Sequence, residues 1–167
     1  RINVRQRIAI GTRYRSFRTT VTAEFLIVFN APRRGMDDIF VARVMSSPVH
    51  TVSPDTLVED AAQQMLDAEI GSVVVVDDGR LVGILTNTDF VQIVAERKPK
   101  DQTPVSAYMS DADVTTTAQV PIADVADSMI EHGIHHVPVV DEHDAVIGMV
   151  TTTDLASYVS HLQTTSA

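Results

Sequence analysis

The chain has 167 residues, 44% of them hydrophobic, and a formal net charge of −9 at pH 7. That length holds one ordinary domain or two very small repeats, and no apolar run reaches the roughly 18 residues that cross a bilayer. With no cysteine, disulfides, thiolate metal sites and cysteine nucleophiles are excluded, and a cytoplasmic protein is the natural expectation.

The charge is unevenly spread. Residues 1–35 hold eight Arg against Glu24 alone, whereas residues 36–167 hold five Lys or Arg against 21 Asp or Glu. In the basic stretch Arg1, Arg5, Arg7, Arg13, Arg15 and Arg18 stand among Ser and Thr. Its apolar run, Phe25 to Phe29, is too short for a signal-peptide core, and no A-x-A cleavage pattern follows. Met36 opens the acidic part in the manner of a natural start, so 1–35 is read as a basic N-terminal extension, upstream or added sequence and mostly disordered. Its rival reading is a basic arm for nucleic acid or an acidic partner. The acidic part itself repels nucleic acid and anionic membrane, and it suits a salt-rich (halophilic) cytosol, where screening removes the self-repulsion.

From residue 36 the pattern becomes regular. Ile39 to Met45 forms a short helical lead-in, ended by Ser46-Ser47-Pro48, and His50-Thr51-Val52 is a short extended piece. Thr56 with Glu59 three residues on reads as a capping box for a helix that presents Val58, Ala61, Ala62, Met65 and Leu66 on one face. The run Val73 to Val76, the turn Asp77-Asp78-Gly79 and the run Leu81 to Leu85 predict a β-hairpin. A second helix follows from Thr86 to about Ala95.

Residues 96–107 are polar and broken by proline, which reads as a linker. The pattern then recurs. At an offset of 64, residues 45–77 match 109–141 at 11 of 33 positions, and one residue inserted in the turn Asp141-Glu142-His143-Asp144 makes the offset 65 thereafter. Gly83-Ile84-Leu85-Thr86-Asn87-Thr88-Asp89 thus reappears as Gly148-Met149-Val150-Thr151-Thr152-Thr153-Asp154. Such a period predicts two copies of one strand-helix-strand-strand-helix unit, residues 36–95 and 108–162, with a tail at 163–167. Each copy is too small to bury its own sheet, so an α+β fold with the copies packed on each other is expected.

Two stretches carry a family resemblance. Ile70 to Asp77 with Gly83 to Asp89, and Ile134-His135-His136-Val137-Pro138-Val139-Val140-Asp141 with Gly148 to Asp154, resemble CBS domains (the cystathionine-β-synthase motif). Two in tandem resemble a CBS pair, or Bateman module, over roughly residues 41–162. The resemblance implies a pseudo-two-fold pair of β-α-β-β-α repeats with two clefts that bind adenosine-containing ligands: AMP, ADP, ATP, S-adenosylmethionine or a dinucleotide such as NAD. It also implies a regulatory role toward an effector protein and assembly as a homodimer of pairs.

Apart from the family, Thr-x-x-Asp has two physical uses. The Thr hydroxyl and Asp carboxylate can cap a helix reciprocally. The same residues can also offer N–H groups, a hydroxyl and a carboxylate at a positive helix end, suited to a phosphate and a ribose. No glycine run of a phosphate-cradling loop is present, so nothing indicates nucleotide hydrolysis. Only Arg80, Arg97 and Lys98 lie near the motifs, less positive charge than the resemblance implies for an ATP site, which favours AMP or cationic S-adenosylmethionine. As the resemblance implies, Thr151 and Asp154 hold a ribose-phosphate while Ser46, Thr51, Gly71 and Ser72 line the base pocket. In the second cleft Thr86 and Asp89 meet Ser110, Thr115, His135 and His136. Backbone groups near Ile70 and Ile134 read the adenine edge. The two histidines make the clefts unequal, and adjacent strand residues face opposite ways, so at most one of them reaches a given site.

The expected function is therefore a non-catalytic, energy-sensing module that needs no cofactor and holds no metal site. The alternative is a structural dimerisation module with vestigial sites. An enzyme such as IMP dehydrogenase, in which CBS pairs are inserted, would need a barrel of about 250 residues and a thiol, and neither is present here.

Overall fold

The computed structural model describes residues 3–4 and 38–164, with side chains for 38–161. The reading of residues 1–35 otherwise lies outside the described residues. The chain runs β1 (Asn3–Val4), β2 (Thr51–Val52), α1 (Val58–Asp67), β3 (Ser72–Asp77), β4 (Arg80–Thr86), α2 (Asn87–Ala95), β5 (Val114–Thr115), α3 (Ile122–His132), β6 (His136–Val140), β7 (Val146–Thr151) and α4 (Thr152–Thr164). The strand-helix-strand-strand-helix order occurs twice, and the fold is α+β.

In the first repeat β2 lies parallel to β3, with Thr51 opposite Val74, because α1 carries the chain back across the sheet. β4 then returns antiparallel, Asp77 opposite Arg80. The turn between them is a two-residue one with positive φ at both Asp78 (46°) and Gly79 (77°), the mirror-image geometry that matches strand twist. In the second repeat β6 and β7 pair, and Thr116 bridges Val139 in parallel, repeating the β2–β3 relation. Its inserted residue makes a longer turn: Asp144 takes the positive φ (62°), and Asp141 Oδ1 accepts the N–H groups of His143 and Ala145. β1 adds antiparallel to β5, with Asn3 opposite Thr115.

By spatial clustering, Ser47–Ala112 with Val140–Ile147 form one compact unit, and the remaining described residues another. The core of the first gathers Val52, Val58, Ala61, Met65, Val73, Val75, Leu85, Ile93 and Val105. The second buries Val41, Ile122, Val125, Met129, Val137, Val139, Val150 and Leu155. Val41 and Val105 belong to the short 3-10 turns Val41–Arg43 and Val105–Ala107 that precede each repeat. Each turn packs in the unit of the other repeat. Val105 N–H donates to Thr56 O and Ile84 N–H to Ser110 O, and equivalently Val41 N–H donates to Val120 O and Met149 N–H to Ser46 O.

This exchange accounts for two features. Gly83 and Gly148 lack a Cβ because Met109 and Met45 lie over them, with sulfurs 2.8 and 2.7 Å from where a Cβ would be. The first free N–H of each helix, one of the orphan donors of a helix start, is also met by a lead-in carbonyl. Val58 N–H donates to Thr103 O, and Ile122 N–H to Ile39 O.

Two expectations are corrected. Thr56 does not form a capping box with Glu59: the helix begins after Leu57, and the Thr56 hydroxyl accepts from Ser53 N–H instead. The carbonyl of Thr103 had already met the helix start. Leu66, placed on the buried face, is 73% exposed, because the apolar stripe of α1 is only as wide as Val58, Ala61 and Met65.

Candidate functional site

A hairpin brings the residue before its first strand beside the residue after its second. In the first repeat this closure is Asn87 N–H to Gly71 O at 3.0 Å, with Ser72 directly opposite Thr86. In the second it is Thr152 N–H to His135 O at 3.0 Å, which sets His136 level with Thr151. Each Thr then opens a helix, and both turns carry the reciprocal cap. Thr86 N–H and Oγ1 donate to Asp89 Oδ2 at 2.7 and 2.8 Å. Thr151 N–H and Oγ1 donate to Asp154 Oδ2 at 2.7 and 2.8 Å, and Asp154 N–H returns to Thr151 Oγ1 at 3.3 Å.

Both carboxylates are half-buried and spend one oxygen on the cap. The bonds from Thr86 and Thr151 all fall on Oδ2, which leaves Oδ1 outside the cap. Burial pushes the Asp89 carboxyl above its ordinary value, more than the bonds from Thr86 pull it down. A half-buried carboxylate with one oxygen outside its cap at a helix start can accept one or two hydroxyl donors from a ligand, and the positive helix end stabilises it.

Cross-strand partners share a face of the hairpin, so His136 lies on the side of Thr151 and Asp154, and His135 on the other by alternation. Burial, with the neighbouring His135, lowers the His136 imidazole to about 4, against the pull of the Asp154 carboxylate. It is neutral at pH 7. In the first repeat Ser72 holds this place.

The site residues expected from the sequence are distributed over both compact units. Thr51, Gly71, Ser72, Thr86, Asp89 and Ser110 fall in one unit, and Ser46, Thr115, His135, His136, Thr151 and Asp154 in the other. Ser46 bridges Met149, two residues before Thr151, and Ser110 bridges Ile84, two residues before Thr86. Each strand start also lies beside the capped turn of its own repeat, because the hairpin closes locally. Thr116 escaped the sequence reading. Its Oγ1 is buried with no hydrogen-bond partner, and the signal was there, since the first repeat has Val52 at that position.

Two surface cavities in the first unit avoid the carboxylate. One of about 530 Å³ lies between His50 and the Asp60, Gln63, Gln64 and Asp67 side of α1. One of about 480 Å³ lies among Met65, Leu66, Ile70, Asn87 and Phe90. Among the described residues no group of three or more His, Asp or Glu is placed to hold a metal ion, and no helix is long and apolar enough to cross a membrane.

The CBS domain profile matches the chain twice, at residues 41–96 and 105–161. The chain belongs to the CBS domain family. As a CBS pair it is 34% identical over 116 residues to the CBS domain-containing protein YhcV of Bacillus subtilis, covering 70% of this chain and 82% of YhcV. It is 36% identical over 108 residues to inosine-5'-monophosphate dehydrogenase of Aquifex aeolicus, but covers 21% of that enzyme. Among solved structures it is similar to the CBS domain pair of protein MJ0100 in complex with 5'-methylthioadenosine and S-adenosyl-L-methionine. The TM-score there is 0.67 at 29% identity, covering 72% of this chain and 98% of that one.

Proposed function

We propose that this CBS pair is a non-catalytic regulatory module that binds adenosine-containing ligands at its two Thr-x-x-Asp turns. The observation that carries the reading is a pair of half-buried carboxylates, Asp89 and Asp154, each fixed by its cap through Oδ2 with Oδ1 outside the cap. A ribose diol supplies two donors to such an oxygen, and donors also offset the burial that raises Asp89. The likeness to the MJ0100 pair, with its two adenosine ligands, supports the same class. AMP, ADP, ATP, NAD, 5'-methylthioadenosine and S-adenosylmethionine are the ligands to try. Each that binds the folded state raises the unfolding midpoint, and Asp154→Ala together with Asp89→Ala removes the rise. No shift at millimolar concentrations of any of them sinks the reading.

Binding acts on a separate effector only through different affinity for two arrangements of the module. The same reading places the chain in the cytoplasm, in a salt-adapted source, and as a homodimer. Leu66, Val91 and Val94 support the last, since they expose 73%, 69% and 64% of their surface on the helices of the first repeat. Leu66→Glu with Val94→Glu is expected to turn a dimer into a monomer in sedimentation; a wild-type monomer defeats the homodimer. The alternative, a structural dimerisation module with vestigial sites, rests on the same exposed face and predicts dimers with no ligand response. Salt adaptation is checked by a melting temperature that rises from low to molar KCl.

A further inference from the structure

His136 stands level with Thr151 and on its face of the hairpin, beside the Asp154 carboxylate, where Ser72 stands beside Asp89. In the unit that contains it, the described residues include one fixed cation, the exposed Arg43 on the 3-10 turn before β2, and no lysine. The charged and titratable groups that act on the ring are His135, next to it on its own strand, and Asp154 from the first turn of α4. The paired strand β7 (Val146–Thr151) and β5 (Val114–Thr115) carry none. Among the described residues of this unit, a phosphate arriving here would therefore meet the Asp154 anion and the partial positive end of α4, but no full counter-charge. The ring is the group able to provide one.

We propose that the second repeat recognises a phosphate-bearing adenosine ligand by taking up a proton on His136, whereas the first repeat, with Ser72, binds without one. This rests on the adenosine reading above. In the free protein the imidazole is neutral, held to about 4 by burial and His135. An anion within about 4–6 Å favours the imidazolium by roughly 1–3 pKa units, and a dianion by more, which returns the ring to the near-neutral range. The proton comes from solvent, the Nδ1–H/Nε2–H cation donates to the phosphate oxygens, and release of the ligand returns the proton. Phosphate-ligand affinity at this site then rises as pH falls from 7.5 to 5.5, by at most about tenfold per pH unit for one proton. A ligand without phosphate shows no such slope.

The test is calorimetric titration of the full chain with AMP and with adenosine at pH 6.5, in two buffers of different ionisation enthalpy, so that protons taken up are counted. AMP is expected to bring up to one proton more into the wild type than into His136→Gln, which cancels the titration of the phosphate itself (second pKa about 6). Adenosine is expected to bring none. Ser72→His is expected to install proton uptake in the first repeat, and it carries the test if His136→Gln does not fold. Equal uptake by wild type and His136→Gln, or no gain in Ser72→His, while both ligands still bind, overturns the proposal and leaves the adenosine reading standing. Binding of neither ligand at millimolar levels overturns that reading and the proposal with it.

Discussion

Ser72 and His136 hold the same place in the two repeats, level with a capping Thr whose Asp is anchored through one oxygen, yet they leave the two turns in different electrostatic surroundings. In the first repeat the titratable group of the turn is Asp89 itself, raised by burial. In the second a buried imidazole beside Asp154 is held near 4. The repeats also differ below the surface. Val52 fits the apolar β2–β3 interior, while Thr116 at the equivalent place brings a hydroxyl with nothing to bond. One plan of bonds thus supports two sites of different charge response, because the closing bonds use main-chain groups and the caps use the Thr and Asp that both repeats keep, so neither depends on which side chain faces the turn.

The largest expected effect comes from acid. His136 binds a proton at 6.5 when unfolded and near 4 when folded, so its contribution is full at neutral pH and lost as pH falls through that window. The loss amounts to about 3 kcal/mol. His136→Ser, which copies the first repeat, is expected to remove most of it in chemical unfolding at pH 7 and pH 4. Asp89 acts with the opposite sign: its raised folded value adds stability as pH falls through it. The His136→Ser protein should therefore show a shallower acid slope, or a reversed one. A slope unchanged from wild type would erase the distinction between the repeats.

Next in size are the glycines under the lead-ins. A Cβ on Gly83 would meet the Ser110 carbonyl at 2.9 Å, and Ser110 is fixed by two backbone bonds with Ile84, one through that carbonyl and one through its N–H; on Gly148 the Ser46 carbonyl is 3.2 Å away. The methionine tails can move in both cases. Gly83→Ala is expected to cost about 2–3 kcal/mol and Gly148→Ala about 1 kcal/mol, read as unequal drops in melting temperature. Equal drops would mean that the sulfur contacts, which are alike, decide the cost.

Smaller again is Thr116→Val, which makes the second repeat resemble the first. It is expected to stabilise by about 1 kcal/mol, since a buried hydroxyl without a partner is removed at nearly constant shape. Thr56→Ala should change stability by less than about 0.5 kcal/mol, whereas Thr151→Ala should cost about 1 kcal/mol, because only the second threonine caps a helix.

The repeat, the hairpins and the capped turns were legible in the residues because each is decided within a few positions. Asp78-Gly79 accepts the positive φ values of a two-residue turn, β-branched Val73 to Val75 suit a covered strand, and Thr-x-x-Asp caps a helix through its own side chains. The cap on Thr56 looked the same in sequence and failed. Its rival was the backbone carbonyl of Thr103, and a carbonyl leaves no mark in a residue pattern. The local neighbours of each strand start left no mark in the residue pattern for a related reason. That Gly71 closes onto Asn87, and His135 onto Thr152, follows from hairpin topology rather than from any residue type. Side-chain chemistry along the chain therefore specified which groups exist at the turns, two carboxylates with a spare oxygen and one histidine pair. Tertiary structure chose which lead-in closes which repeat, because that choice is made by main-chain bonds between segments distant in sequence, and strand pairing set which histidine lies on the side of Asp154.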